Sequence, residues 1–242
     1  MTLRICLWSG PRNVSTAVMY AFRERADTSV VDEPLYAHYL AATGVEHPAV
    51  QDVISAQDSD GAHVVETVVF GPSPTPVRFF KHMAHHLVDL DLEFIDRVEN
   101  IILTRDPVEM LPSLVHQVPN PTLEGTSLPM QVRLLERILS SGRDPIVLDS
   151  RLLLLNPEGV LRQVCECLGL AFDPGMLSWP AGAKPEDGVW APHWYHNVHR
   201  SAGFEPYRQK DDPVPAHLIG LLAECRPLYE RLAAHAVAGA RT

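Results

Sequence analysis

The first twenty-five residues constrain the fold most, because a strand, a tight loop and a helix follow one another there. Leu3 to Trp8 is an apolar run of strand length, and the turn residues Ser9-Gly10-Pro11 end it. From Thr16 the apolar residues recur at helical spacing. A loop between a strand and a helix N-terminus directs backbone N–H groups and the helix dipole at one anion. The opening therefore predicts an anion-binding loop at Gly10 to Thr16.

Four more apolar runs of strand length follow, and each ends at a charged or polar turn. Helical patterns alternate with them, which predicts parallel βαβ units in a doubly wound, mostly parallel sheet flanked by helices, an α/β fold. Ligands of such sheets bind beyond the carboxyl ends of the strands, and Glu33, Lys81 and Arg105 fall at those ends. The predicted strands are Ser29–Asp32, Val77–Phe80, Asn100–Thr104 and Ile146–Leu148.

The last third of the chain has a different character. Aromatic residues from Trp179 to Tyr207 lie among Gly, Pro and His without clear periodicity, which predicts a long ordered loop or lid at about 179–210. His217 to Ala234 returns to helical spacing, and Pro227 predicts a kink or break in that C-terminal helix. We expect a single domain over 1–242.

Composition excludes several functional classes. A formal net charge of −10 argues against a broad nucleic-acid surface, which needs clustered Lys and Arg. No stretch reaches the roughly 18 apolar residues of a membrane span, and no leader pattern opens the sequence, so we expect a cytoplasmic protein that binds neither nucleic acid nor membranes. The four cysteines lack zinc-site or thioredoxin spacing, which predicts buried thiols in a reducing compartment.

Side chains of the loop add to its affinity for anions. Arg12 brings a fork of N–H donors, and Ser15 and Thr16 bring hydroxyl groups. The Gly-Lys pair of a Walker A loop is missing, which argues against magnesium-dependent ATP or GTP chemistry. The alternative is an ordinary helix start with Ser15 or Thr16 as the N-cap.

Pro11–Thr16 resembles the loop with which sulfotransferases hold the 5′-phosphosulfate side of 3′-phosphoadenosine 5′-phosphosulfate (PAPS). Arg105 and Ser113, eight residues apart, resemble the family's second signature, which grips the 3′-phosphate. The resemblance implies a P-loop NTPase-like fold of the sulfotransferase type, PAPS as donor, adenosine 3′,5′-bisphosphate as product and no required metal. The donor-binding residues that it implies are Arg12, Asn13, Val14, Ser15, Thr16, Arg105 and Ser113, with Arg208 and Lys210 in a basic C-terminal loop.

Val14 departs from the family pattern, which usually has glycine in this loop. A β-branched residue resists positive φ, so either the loop keeps a regular backbone there or donor binding is weakened or lost. A noncatalytic nucleotide-binding protein therefore remains an alternative.

Two residues are candidates for the catalytic base. Glu33 resembles the glutamate that bacterial members place shortly after the second strand, and we favour it, with Lys81 or His82 assisting. His82 follows Lys81 directly, whereas the family's Lys-x-His pattern has one residue between them. The alternative for Asp32-Glu33-Pro34 is a solvated turn.

The histidines invite a metal-binding interpretation, since His82 and His86 lie at i, i+4. No glutamate of the zinc-protease motif stands between them, so we expect no metal site.

The function predicted is transfer of a sulfuryl group to a small hydroxylated or aminated acceptor. A small-molecule kinase or nucleotide hydrolase is the enzyme alternative. The sequence leaves acceptor identity and oligomeric state open.

Overall fold

A parallel five-stranded sheet, flanked by helices, organises the chain, and this confirms the predicted fold class. The computed structural model describes residues 2–209 and 212–239. The strand order is β2-β3-β1-β4-β5, with β2 parallel to β3 and β4 parallel to β5. The strands are β1 (Leu3–Ser9), β2 (Thr28–Asp32), β3 (Val77–Met83), β4 (Glu99–Thr104) and β5 (Ile146–Asp149).

The central strands owe their position to continuous apolar sequence. Ile5 to Trp8 in β1 and Ile101 to Leu103 in β4 are fully buried. Side chains of a strand alternate between the two faces of a sheet, so such a run needs cover on both faces, and helices supply it.

Eleven α-helices are present in the described residues. Some ends follow from the sequence: Asp106 caps α5 through its side chain, with Pro107 in the first turn, and Asn156 caps α8. The helices are α1 (Ser15–Arg23), α2 (Tyr36–Thr43), α3 (Val50–Ala56), α4 (Gly61–Val64), α5 (Pro107–Leu114), α6 (Leu128–Ser140), α7 (Ser150–Leu155), α8 (Pro157–Cys167), α9 (Ala191–Trp194), α10 (His196–Arg200) and α11 (Ile219–Ala233).

The chain forms two compact units, each built from three separate segments. Unit 1 contains Met1–Leu7, Ser15–Asn100 and Asp173–Phe204. Unit 2 contains Trp8–Val14, Ile101–Phe172 and Glu205–Thr242. The expectation of a single domain over 1–242 stays a prediction.

Three sequence expectations need correction. The 179–210 segment is not all loop, because it contains α9 and α10, and its Trp190 and Tyr195 are buried in the core of unit 1. Pro227 does not break α11, which runs through it. Cys167 is exposed, whereas the other three cysteines are buried as expected.

No helix in 2–209 or 212–239 combines the length and apolar character that crossing a bilayer requires.

Candidate active site

The loop after β1 is fastened by its own side chains. Asn13 accepts a hydrogen bond from Ser9 Oγ at 2.8 Å and donates from Nδ2 to the carbonyl of Leu103 at 3.0 Å. The Asn13 amide therefore ties the loop to the end of β4. Ser15 and Thr16, predicted as anion contacts, are buried at the first two positions of α1.

Arg12 supplies the left-handed backbone that this loop needs. Its φ is 57°, whereas Val14 is not among the described non-glycine residues with positive φ. A β-branched residue is therefore compatible with the loop, because the turn is made two residues earlier. Gly10 matters for another reason: a Cβ there would lie 3.0 Å from the carbonyl oxygen of Thr126.

The two signatures meet in unit 2. Arg12 Nε donates to Ser113 Oγ at 3.0 Å, and one terminal nitrogen of Arg105 donates to the carbonyl of Arg12 at 2.5 Å. We call Arg12, Arg105 and Ser113 the arginine cluster. Burial and the neighbouring Arg105 charge both lower the pKa of Arg12. Two guanidinium groups so close together favour an anion beside them, because it relieves their mutual repulsion.

Arg105 also pairs with a carboxylate. Its other terminal nitrogen donates to Glu109 at 3.2 Å, an i, i+4 pair, and each side chain is less than one-fifth exposed. The remaining Glu109 oxygen accepts a hydrogen bond from the hydroxyl of Tyr207. Glu109 is thus held on both oxygens.

A small pocket, open to solvent, lies beside the loop in unit 2. Gln131 Nε2 braces it by donating to the carbonyls of Trp8 at 3.0 Å and Leu103 at 2.7 Å. Thr104 Oγ1 and Gln131 Oε1 are buried and have no hydrogen-bond partner within the described part of the chain. The lining residues are Gly10, Pro11, Asn13, Thr104, Arg105, Met110, Thr126, Leu128 and Gln131.

Unit 1 contains a buried cluster around Lys81, which we call the lysine cluster: Lys81, Asp32, Glu33, Tyr195 and Trp190. Lys81 Nζ donates to Asp32 at 3.1 Å, to Glu33, and to the hydroxyl of Tyr195 at 2.7 Å. The hydroxyl of Tyr195 donates to the other Asp32 oxygen at 2.7 Å and accepts from Trp190 Nε1 at 3.1 Å. All three N–H groups of Lys81 therefore have acceptors.

Burial dominates the electrostatics of this cluster. It raises the pKa of Glu33, Asp32 raises it further, and Lys81 opposes both. For Lys81, burial alone would lower the pKa, but the charges of Asp32 and Glu33 raise it above its ordinary value. Lys81 is thus a permanent cation, whereas Glu33 is a carboxyl whose proton affinity is increased, as a general base requires.

His82 lies apart from the lysine cluster. It is adjacent to Lys81 in β3, so the two side chains leave opposite faces of the strand, and its ring stacks with Phe80 at 6.1 Å. Burial, with Lys81 second, lowers the pKa of His82 to about 3. The structure therefore places Glu33 with Lys81, not with His82.

His86 is the histidine beside Glu33. Its Nδ1 lies 4.0 Å from the second Glu33 oxygen, and its ring stacks on Tyr36 at 4.9 Å and Tyr39 at 4.6 Å. Burial lowers the pKa of His86 well below its usual value, so the imidazole is neutral. No group of three or more His, Cys, Asp or Glu suited to a metal ion occurs in 2–209 or 212–239.

The late cations are less well defined. Arg208 is exposed, and Lys210 lies outside the described residues. Their predicted role in donor binding stays a prediction.

Comparison with known proteins decides the family. The family model described as a sulfotransferase domain matches residues 3–236, nearly the whole chain. The chain belongs to the sulfotransferase domain family. The family resemblance first seen in Pro11–Thr16, Arg105 and Ser113 is therefore confirmed.

Two curated relatives of this sulfotransferase-family chain come from Arabidopsis thaliana. They are named branched-chain-amino-acid aminotransferase-like protein 1 and protein 2, and they are 39% and 38% identical to it over 229 residues. The match covers 94% of the chain but 41% of each relative. The chain therefore spans less than half the length of these relatives.

Solved sulfotransferase structures share its fold. The sulfotransferase domain from the curacin biosynthetic pathway is 15% identical with a TM-score of 0.57, covering 96% of this chain and 98% of that one. A sulfotransferase from Alicyclobacillus acidocaldarius is 12% identical with a TM-score of 0.54, covering 97% and 95%. At such identities the likeness supports the fold alone.

Sequence reasoning missed several residues of the two clusters. Glu109 and Tyr207 are 98 residues apart, and Tyr195 is 114 residues from Lys81. Glu109 sits four residues after Arg105 within the second signature, a helical ion-pair spacing that was a usable signal. Nothing in the local sequence marks Tyr195 as a partner of Lys81.

Proposed function

We propose that this sulfotransferase-family chain transfers a sulfuryl group from PAPS to a small hydroxylated or aminated acceptor. The observation that carries the proposal is the arginine cluster, in which Arg12, Ser113 and Arg105 are linked by direct hydrogen bonds. These are the residues for which the resemblance implies phosphate contacts.

The residues present suit such a donor. Arg12 and the loop amides fit its 5′ side, and the fork of Arg105 with the Ser113 hydroxyl fits the 3′-phosphate. When bound, the donor supplies a sulfuryl group joined to a phosphate oxygen that is a good leaving group.

In this proposal Glu33 is the general base. The acceptor's oxygen or nitrogen forms a bond to sulfur while the bond from sulfur to the bridging phosphate oxygen breaks, and the acceptor's proton passes to Glu33. Because Lys81 occupies one Glu33 oxygen, the second oxygen is the proton acceptor. Lys81 is then a positioning residue, since its three donors are used within the lysine cluster.

Both Arabidopsis relatives carry the name of an amino-acid enzyme, which supports testing aminated acceptors, branched-chain amino acids included. A panel of small alcohols, phenols, amines and amino acids therefore suits a first screen.

The experiment is a transfer assay with 35S-labelled PAPS and that panel.

We expect Arg12→Ala and Arg105→Ala each to lose a charge-assisted contact worth ~1.5 to 3 kcal/mol, so nucleotide affinity falls roughly tenfold or more. Arg162→Ala is the matched control, because Arg162 is an exposed arginine of the same unit paired only with Glu158 in the described ion pairs. Equal affinity of all three variants and the wild type would contradict the donor site.

A further inference from the structure

The second signature contains the anion Glu109 as well as the cation Arg105. Glu109 in α5 places one carboxylate oxygen 3.2 Å from Arg105, while Tyr207 donates to the other oxygen. A carboxylate presents planar, charged acceptor oxygens to guanidinium donors, much as a phosphate does. Glu109 thus occupies one terminal nitrogen of the Arg105 guanidinium, which the proposed function assigns to a 3′-phosphate.

Arg105 does not depend on Glu109 alone for its position. Its other terminal nitrogen donates to the Arg12 carbonyl at 2.5 Å, so the guanidinium is already fixed against the loop. The hydrogen bond from Tyr207, in contrast, holds the Glu109 carboxylate against Arg105. Glu109 is therefore held beside Arg105, and Arg105 keeps a separate hydrogen bond to the loop that does not involve Glu109.

A nucleotide dianion arriving at Arg105 meets this negative charge. The Arg105–Glu109 pair is less than one-fifth exposed, so solvent screens it less than it screens a surface pair. The incoming phosphate must either displace the carboxylate or accept its repulsion, and both reduce affinity. A ligand that lacks the 3′-phosphate meets no such competition.

We propose that Glu109 is an internal competitor for the 3′-phosphate, so that it sets the affinity of the chain for PAPS and for adenosine 3′,5′-bisphosphate. This inference rests on the proposed function. Since the product keeps the 3′-phosphate, the same competition accelerates product release.

The test is calorimetric titration of adenosine 3′,5′-bisphosphate and of 5′-AMP into wild type and Glu109→Gln. The glutamine keeps the size and a carbonyl acceptor but removes the charge. We expect the variant to bind the bisphosphate roughly three- to tenfold more tightly and 5′-AMP about equally. Tyr207→Phe, which frees the carboxylate to leave Arg105, should shift the bisphosphate affinity in the same direction by less.

The matched control is Glu158→Gln. Glu158 pairs with Arg162 at i, i+4 in α8, with both side chains about half exposed, and carries the same charge change without a role in the arginine cluster. Its affinities for both nucleotides should equal those of the wild type. A comparable tightening in this control would identify a long-range effect of net charge and overturn the inference.

Two other results would overturn it. Weaker bisphosphate binding by folded Glu109→Gln would show that Glu109 positions Arg105 for the ligand. An equal shift for 5′-AMP would show that the 3′-phosphate is not what Glu109 opposes. Failure of the proposed function is distinguishable, because then neither the wild type nor Glu109→Gln would bind the bisphosphate more tightly than 5′-AMP.

Discussion

Glu33 combines two unfavourable local features, a buried carboxyl and a left-handed backbone with φ of 36°. Such costs persist where the surroundings compensate them, and they concentrate at functional positions. Glu33→Gln keeps the shape but cannot accept a proton, so turnover should fall by about 10² to 10⁴ with little change in nucleotide affinity. Single-turnover assays and calorimetry measure the two quantities, with exposed Glu66→Gln as control. Full turnover by the folded variant would remove Glu33 from the role of base.

The pH dependence of turnover reports on the same carboxyl. A base acts in its ionised form, so activity falls as pH drops through its pKa. Burial raises the pKa of Glu33, which places the acidic limb of the kcat profile above the ordinary 4.5 of a glutamate. Lys81 lowers that pKa, so Lys81→Met should move the limb to higher pH, and Lys81→Arg should largely restore it.

Lys81→Met also leaves two buried carboxylates without their cation, which should cost ~3 to 5 kcal/mol of unfolding free energy. Urea titration before the kinetic measurement separates this loss from the pH effect. A limb that stays in place in a folded Lys81→Met protein would contradict the assigned interaction.

Motif order named Arg12, Arg105 and Ser113 as phosphate contacts, and the structure brings these three residues together in the arginine cluster. Arg12 lies in the loop after β1, Arg105 directly after β4 and Ser113 in α5, and in parallel sheets ligands bind beyond the carboxyl ends of the strands. Their hydrogen bonds to each other were not part of the sequence prediction, and their contacts with phosphate stay predictions. The role of Tyr195 was not predictable from the sequence. Its three polar partners are brought to it by tertiary packing. A tyrosine in an aromatic segment has the same local sequence pattern whatever its hydroxyl group contacts.

At the scale of whole elements, β3 is longer than the sequence predicts. The sequence predicted an end at Phe80, since Lys81 and His82 look like a charged turn, yet the strand continues to Met83. Lys81 pairs in register with Asp32 of β2, and its charge is neutralised by carboxylates from that strand's end. Burial of a cation in a strand depends on a partner that only tertiary structure supplies. The run of α11 through Pro227 has the same origin, because packing of its helix can outweigh propensity.

His82 in β3 makes the stability of the fold sensitive to acid. Its pKa in the fold is about 3 against an ordinary 6.5, so the unfolded chain binds a proton in a range where the folded chain does not. The contribution of the neutral ring is present above pH 6.5 and is lost as pH falls toward 3, at up to ~1.4 kcal/mol per pH unit. His82→Leu should therefore flatten the decline of stability between these limits.

Urea unfolding at a series of pH values measures that decline. Exposed His193, replaced by leucine, is the control for a histidine-to-leucine change at the surface. An identical slope in wild type and His82→Leu would show that His82 does not titrate differently in the two states.

At the scale of the whole molecule, the proposed function is tested by which nucleotide stabilises the fold. Arg12 suits a 5′-phosphate group, and Arg105 with Ser113 suits a 3′-phosphate, which ATP lacks. ATP also brings a triphosphate and magnesium to a loop without the Walker lysine that receives them. Adenosine 3′,5′-bisphosphate should therefore stabilise the fold, and ATP with magnesium should do so much less.

At a hundred times its Kd, a ligand of the native state adds ~2.7 kcal/mol, which raises Tm by roughly 5 to 10 °C for a chain of this size. Thermal scans with both nucleotides at matched concentration provide the measurement, with magnesium alone as control. Stronger stabilisation by ATP would favour a kinase or hydrolase, and no response to either nucleotide would favour a noncatalytic member of the family.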